Sequence, residues 1–179
     1  DLAAAGVTMP MVLPPTVLGY YLLLVIGRQS PIGRILEQWG ISLVFTWQAA
    51  VLASFVVAFP LVVRTVQSAI EAVDPMLEAA ARTLGRSEFS IFWTVTVPLA
   101  WRGIFAGGVL AFTRAMGEFG ATLMVAGNIP GRTQTLSVAI YDAVQAGNSA
   151  LANQLVVLIT VVSLTVLWLV SRLVGKKVG

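Results

Sequence analysis

The sequence predicts an all-α membrane protein, a polytopic helical bundle with about four spanning helices. Of its 179 residues, 58% are hydrophobic and only 11% are charged. The mean hydropathy of +0.89 is typical of a membrane protein and not of a soluble domain. The apolar residues also fall into runs close to the roughly 20 residues that a helix needs to cross a bilayer. We therefore expect one transmembrane domain over residues 1–179.

The expected spans cover four apolar runs, at about 11–27, 44–63, 99–125 and 151–170. Pro14 and Pro15 interrupt the first run, so a kink or a helix start is expected there. Arg64 ends the second run.

Two of the connecting segments have helical character of their own. In the loop over 28–43, the apolar residues follow helical spacing, which predicts a short helix lying on the membrane surface; they are Ile32, Ile35, Leu36 and Trp39. The polar loop over about 127–150 contains a turn at Asn128–Gly131 and a predicted helix from Leu136 to Gln145.

A polar stretch between the second and third spans, over about 65–97, has clear helix signals. Asp74 can cap a helix whose first residue is Pro75, and Gly85 is a suitable terminator. Ser87 can cap a second short helix that carries Glu88 in its first turn. Glu78 and Arg82 form an i,i+4 pair on one side. A narrow apolar face lies on the other side, formed by Leu77, Ala80, Ala81 and Leu84.

The basic residues predict the orientation in the membrane. Seven of them collect on the side of the 65–97 loop and the C-terminus: Arg64, Arg82, Arg86, Arg102, Arg172, Lys176 and Lys177. The other side has Arg28, Arg34 and Arg132. The positive-inside rule therefore places the 65–97 loop and the C-terminus in the cytoplasm.

The third run carries small residues at every fourth position, namely Gly103, Gly107, Ala111 and Ala115. Such a stripe lets another helix approach closely. Two interpretations remain open from the sequence, because the stripe can face a second copy of the chain or a neighbouring helix of the same copy.

Arg114 and Glu118 lie one helical turn apart on the same run, well inside the bilayer. Charges at this depth are costly, so they must face a partner or a watery cavity. In one interpretation the pair lines an anion pathway; in the other it is a mutual salt bridge that braces the bundle. The candidate pathway residues are Thr113, Arg114, Glu118, Thr122 and Asn128.

Several classes of function are excluded by what the sequence lacks. It has no Cys and no His, so no disulfide, His/Cys metal site or His-dependent catalytic set can form within it. No Gly-x4-Gly-Lys-Ser/Thr phosphate-binding loop occurs. The modest net charge of +3 is scattered along the chain, so a nucleic-acid partner is not expected. We predict no catalytic residues, no bound metal and no cofactor for this chain.

The 65–97 loop resembles the coupling loop of ABC importer permeases, whose pattern is Glu-Ala-Ala, three residues, Gly, and later an apolar-x-apolar-Pro. The sequence departs from this pattern at one position, because Ala79 occupies the family Glu and the acid lies one place earlier, at Glu78. The Val95–Pro98 stretch matches the end of the pattern. The resemblance implies ATPase-coupling residues at Leu77, Glu78, Ala79, Ala80, Ala81, Arg82, Thr83, Leu84 and Gly85.

The stretch Gly117-Glu118-Phe119-Gly120-Ala121-Thr122, followed by Asn128-Ile129-Pro130-Gly131, resembles the oxyanion branch of that family. It is most similar to the molybdate and tungstate permeases, and less similar to sulfate and thiosulfate permeases. The resemblance implies import of molybdate, with tungstate as a shared substrate and sulfate or thiosulfate as the alternative. A passive channel or membrane scaffold without an ATPase is the alternative from another class.

The resemblance also implies partners in the cytoplasmic membrane. A second copy of the permease would complete the pathway, two cytoplasmic ATPase subunits would bind ATP and magnesium, and an external or periplasmic binding protein would deliver the oxyanion. Permeases of this family carry one or two more spanning helices than this sequence, so we expect these to precede Asp1.

Overall fold

The computed structural model describes residues 2–174, and side chains from 6 to 172. All regular structure in this part of the chain is helical, which confirms the predicted fold class. Residues Phe92–Thr96 form a π-helical turn. The helices are α1 (Leu2–Val12), α2 (Pro15–Ile26), α3 (Pro31–Gln38), α4 (Trp47–Glu71), α5 (Pro75–Thr83), α6 (Glu88–Ile91), α7 (Val97–Met116), α8 (Gly120–Ala126), α9 (Leu136–Gln145) and α10 (Ser149–Val174).

Three helices in the described part of the chain are long and apolar enough to cross a membrane. They are α4, the bent helix that runs through α6, the π-helical turn and α7 (hereafter the long helix, Glu88–Met116), and α10. The predicted helix from Leu136 to Gln145 is confirmed as α9, which begins at the cap Thr135. The predicted short helix within 28–43 is α3, capped by Ser30.

The segment expected as the first span, 11–27, holds the end of α1, a bend at Leu13–Pro14 and the whole of α2. With 12 residues, α2 is about 18 Å long. This is well short of the roughly 30 Å hydrocarbon core, so α2 alone does not cross it. Pro14 and Pro15 explain the bend, because Pro14 is extended and Pro15 occupies the first helical position.

The segment expected as the third span, 99–125, is also divided. The long helix ends at Met116, the chain turns through Gly117–Phe119, and α8 starts at Gly120. The Met116 carbonyl at this break accepts a hydrogen bond from the Ser137 hydroxyl at 3.1 Å. This contact replaces a helical bond that the break removes.

The buried core lies where α2, α4 and α8 meet. Its fully buried members are small or β-branched, and include Ala53, Ala121 and Val125. At Gly19 an added Cβ would lie 2.7 Å from the Met124 Cβ. Glycine is therefore required there for α2 to pack closely against α8.

A strained connection precedes α4. Phe45 is the non-glycine residue with positive φ (60°) in the described chain. Its N–H donates to the Val125 carbonyl at 2.9 Å. Gly127, which has φ 70° and ψ −162°, lies against the Phe45 ring. Positive φ is unusual for an aromatic residue, so the contact with α8 holds this conformation in place.

Candidate functional site

The predicted coupling loop folds as two short helices joined by a tight turn. The Asp74 carboxylate accepts the Met76 N–H at 2.8 Å, and Pro75 is the first residue of α5. Gly85 reverses the chain with φ 76°. The Ser87 hydroxyl oxygen accepts the Ser90 N–H and so caps α6. The local signals in the sequence therefore predict this geometry correctly.

The outer surface of this loop is apolar and open. Leu84, Met76 and Phe89 are 82%, 75% and 76% exposed. The small residues Ala79 and Ala80 between them are exposed as well. We call these five residues the outer face. Large apolar side chains that are this exposed, on a loop between two spans, are typical of a surface that binds another protein.

The predicted apolar face of α5 is divided by the structure. Ala80 and Leu84 belong to the outer face, whereas Ala81 is half-buried. Leu77 lines a shallow groove between the end of α4 and the first turns of α7, next to Leu99 and Gly103. One side of α5 is thus directed at its own chain and the other at the surroundings.

Arg82 ties α5 to the start of the long helix. Its Nε and Nη2 donate to the two carboxylate oxygens of Glu88 at 2.6 and 3.0 Å. Its Nη2 also lies 3.6 Å from the Glu78 carboxylate. The hydrogen bonds and charge of Glu88 raise the pKa of Arg82 above its ordinary value. The i,i+4 pair predicted from the sequence is present, and Glu88 is its closer partner.

Glu78 has a second contact that the sequence analysis did not predict. The Thr96 hydroxyl donates to Glu78 Oε1 at 2.6 Å, across 18 positions of the chain. Thr96 is 3% exposed. Glu78, which lies one place before the position of the family glutamate, therefore bonds to the long helix. Pro98, two residues after Thr96, was the available signal that the helix is irregular here.

Arg114 and Glu118 are brought together at the break after the long helix. Arg114 Nη1 lies 3.0 Å from Glu118 Oε2. Glu118 Oε1 accepts the Ala121 N–H at 2.9 Å, in the first turn of α8. The Glu118 side chain is 1% exposed, whereas that of Arg114 is 41% exposed. Glu118 thus has a structural contact to α8, and Arg114 retains an open side.

The other pathway candidates are less available. Thr122 is 1% exposed, and its hydroxyl bonds to backbone carbonyls of Glu118 and Phe119. The Thr113 hydroxyl donates to the Leu110 carbonyl of its own helix. Asn128 accepts from the Gln134 amide at 2.8 Å in the loop before α9. Arg114 is therefore the pathway candidate with a charge and an exposed surface.

The stripe of small residues serves mainly contacts within the chain. An added Cβ at Gly103 would lie 2.5 Å from the Ala69 Cβ, and one at Gly107 would lie 2.7 Å from the Thr65 Cβ. Both glycines face α4. Ala111 and Ala115 line an open apolar groove of about 440 Å³ between α4 and α7. Packing against α4 is thus the role of the two glycines.

A cofactor site is not apparent in the part of the chain that the structure describes. Within residues 2–174, no group of three or more acidic side chains is arranged to hold a metal ion. The described part of the chain instead offers exposed apolar contacts, a few ion pairs and exposed arginines.

The fold and the loop define a class, that of multi-pass helical membrane proteins with an interaction surface between two spans. The chain belongs to the family of binding-protein-dependent transport system inner membrane components, whose sequence model matches residues 2–178. This membership confirms the resemblance derived from the coupling-loop pattern.

Individual relatives are similar over nearly the whole chain. The molybdenum transport system permease protein ModB of Haemophilus influenzae is 44% identical over 184 residues, which covers 100% of this chain and 80% of the relative. ModB of Escherichia coli K12 is 45% identical over 177 residues, or 96% of this chain and 77% of the relative. Sulfate permease 2 of the Chlamydomonas reinhardtii chloroplast is 38% identical over 92% of this chain and 44% of its own length.

Proposed function

We propose that this chain is the membrane-spanning permease subunit of an ATP-driven importer that moves molybdate across the cytoplasmic membrane. The observation that supports molybdate as the substrate is the 44–45% identity to two molybdenum transport permeases over almost the whole chain. The sulfate permease is less similar and matches over less than half of its length. Tungstate, a tetrahedral dianion of similar chemistry, is a second substrate.

The mechanism is alternating access between the two sides of the membrane. Two copies of the permease form the pathway, and an external binding protein delivers the anion to it. ATP and magnesium bind to two cytoplasmic ATPase subunits, not to this chain. ATP binding closes the ATPase pair and opens the pathway outward; hydrolysis and product release reset it.

The outer face is the docking surface for the ATPase. Its exposed Met76, Leu84 and Phe89 supply apolar contact area, and its Ala79 and Ala80 allow close approach of another surface. Of the charged residues beside it, Arg82 and Glu88 are bonded to each other. Arg86 contacts the Ser90 hydroxyl at 3.4 Å and is available for an acidic group of the ATPase. Docking therefore buries apolar surface beside an ion pair that is already formed, which favours association.

The orientation follows from charge. Arg82 and Arg86 lie on the loop that carries the outer face, and Arg64 and Arg102 lie in the helices on either side of it. The opposite side carries Arg28, Arg34 and Arg132. This excess supports a cytoplasmic position for the outer face and the C-terminus, where ATP is available.

In the pathway, Arg114 attracts the oxyanion and Glu118 limits how tightly it is held. The half-exposed guanidinium can donate hydrogen bonds to an anion while it remains paired with Glu118. A site that is only partly neutralised binds a dianion weakly enough to release it. Selectivity at low concentration then depends on the external binding protein.

Reconstitution tests this function. The permease, co-expressed with the ATPase and binding protein of its own system, is placed in proteoliposomes, and ATP hydrolysis and anion uptake are measured with molybdate, tungstate and sulfate. We expect the ATPase to co-purify and molybdate and tungstate to stimulate hydrolysis and uptake. Stimulation by sulfate alone would make the chain a sulfate permease. Absence of a co-purifying ATPase would point to a channel or scaffold.

A further inference from the structure

Two side-chain contacts join α5 to the long helix. One is at the first residue of the long helix, and the other is two turns further along it. Near its start, the exposed Glu88 binds Arg82. Eight residues later, the buried Thr96 hydroxyl donates to Glu78 at 2.6 Å. Because Glu78 and Arg82 are one turn apart on α5, the two contacts hold α5 against the long helix at two separate points.

The long helix is irregular where the buried contact forms. Residues Phe92–Thr96 form a π-helical turn, in which the Val97 N–H bonds to the Phe92 carbonyl five residues back. Pro98 follows directly; it has no N–H, and its ring would collide with the Thr94 carbonyl of a regular α-helix. The wider turn relieves this collision. Single π-helical turns are rare and occur frequently at functional sites.

The π-helical turn also determines the direction of Thr96. An extra residue in one turn rotates the side chains that follow it relative to those before it. Thr96, the last residue of this turn, is directed into the chain at Glu78, whereas Phe92 and Trp93 at its start are exposed. The long helix is therefore connected to α5 through a continuous series of contacts, which runs from Pro98 through the π-helical turn to Thr96 and on to Glu78.

We propose that Thr96 and Glu78 are positioning residues of the transport cycle. They transmit a displacement of α5 to the first turns of the long helix. This inference rests on the proposed function. The exposed Arg82–Glu88 pair is accessible to water, so it holds the start of the helix loosely. The Thr96–Glu78 hydrogen bond is partly buried, since Thr96 is 3% and the Glu78 side chain 25% exposed. With a carboxylate acceptor and less access to water, it is the stronger and more directional contact, and so carries the rotation of α5 into the span.

Thr96→Val tests the proposal, because valine has nearly the shape of threonine and lacks the hydroxyl. In the reconstituted complex we expect the variant to keep its ATPase subunits and its basal ATP hydrolysis. The number of anions imported per ATP hydrolysed should fall about fivefold, the factor that corresponds to loss of one net hydrogen bond. Thr96→Ser, which keeps the hydroxyl, is the matched control and should restore most of this ratio.

Glu78→Ala and the double variant Glu78→Ala, Thr96→Val complete the test. If the two residues act through each other, the double variant should have a ratio no lower than that of Glu78→Ala. An unchanged ratio in Thr96→Val, independent losses that multiply, or loss of the ATPase from the Thr96→Val complex would each overturn the proposal. Failure of the proposed function is distinguishable, because the unmodified complex would then neither retain an ATPase nor import molybdate, and the positioning role would be refuted with it.

Discussion

At the break between α7 and α8, one carboxylate serves two partners: Glu118 Oε2 lies 3.0 Å from Arg114 Nη1, and Glu118 Oε1 accepts the Ala121 N–H at 2.9 Å. The sequence left two interpretations open, an anion pathway and a mutual salt bridge, and both concern this one ion pair. Glu118 is buried and stabilises the start of α8, whereas Arg114 keeps two-fifths of its side chain exposed. Glu118 is thus the structural member of the ion pair, and Arg114 is the member for which we propose the anion contact.

This asymmetry predicts unequal effects of neutralising the two residues. Arg114→Gln leaves a buried carboxylate without its cation and should cost about 1–3 kcal/mol of stability, since the exposed arginine moderates the loss. Glu118→Gln keeps an oxygen for the Ala121 N–H and leaves an arginine that reaches water, so it should cost less. Thermal unfolding in detergent checks the order. A larger loss for Glu118→Gln would show that the negative charge itself holds α8.

Measurement of molybdate uptake separates a role of Arg114 in the pathway from the structural role of the Arg114–Glu118 ion pair. The double variant Arg114→Gln, Glu118→Gln should regain most of the stability that Arg114→Gln loses, because no buried charge remains unpaired. Its molybdate uptake should stay low if Arg114 attracts the anion. Full uptake by the double variant, at matched expression, would remove Arg114 from the pathway.

Local signals in the sequence predicted the local structure well. Asp74, Ser87 and Gly85 each act through the residues beside them, and the structure places all three as expected. The breaks were harder to predict. Residues 99–125 read as a single apolar run, and nothing in their hydropathy indicates that the chain turns at 117–119. The available signals were the Glu118 carboxylate, two residues before α8 begins, and the glycines at 117 and 120 on either side of it.

Contacts between distant segments could not be derived from periodicity. The stripe with Gly103 and Gly107 predicts close packing, but the identity of the neighbour depends on the tertiary arrangement, which places α4 there. The Thr96–Glu78 hydrogen bond likewise depends on a π-helical turn that sequence spacing assumes to be α-helical. Positive φ at Phe45 has no sequence signal at all.

Labelling of single cysteines tests the topology, since the chain contains no native Cys. Thr133 is 5% exposed and so is a poor site, whereas Arg132 beside it and Arg86 in the coupling loop are exposed. Arg132→Cys should react with an impermeant thiol reagent from outside intact cells. Arg86→Cys should react only after permeabilisation. Equal labelling of both in intact cells would contradict the orientation.

The contact of Phe45 with Gly127 predicts a specific sensitivity to substitution. Gly127→Ala forces a residue into φ 70°, ψ −162° and places its Cβ 3.0 Å from the Phe45 ring. The backbone conformation alone costs about 1–3 kcal/mol. Gly131→Ala is the control, because Gly131 also has positive φ but has nothing within 4 Å of its new Cβ; it should cost about 1 kcal/mol. Equal unfolding temperatures for the two variants would show that Phe45 moves aside freely.

Gly85 provides the sharpest test of the coupling loop. The turn after α5 requires φ 76°, which a β-branched residue resists, so Gly85→Val should redirect the chain between α5 and α6 and displace Leu84. Gly40→Val is a matched control: Gly40 has φ 74° and, like Gly85, nothing within 4 Å of an added Cβ, but it lies after α3 on the opposite side of the predicted membrane.

We expect both variants to insert and to lose similar stability. Molybdate uptake should fall at least about tenfold in Gly85→Val, with ATPase subunits lost or hydrolysing without transport, because docking through the outer face loses on the order of 1–2 kcal/mol. Gly40→Val should transport at near the unmodified rate. Comparable uptake by the two variants would mean that the outer face does not connect this chain to its ATPase.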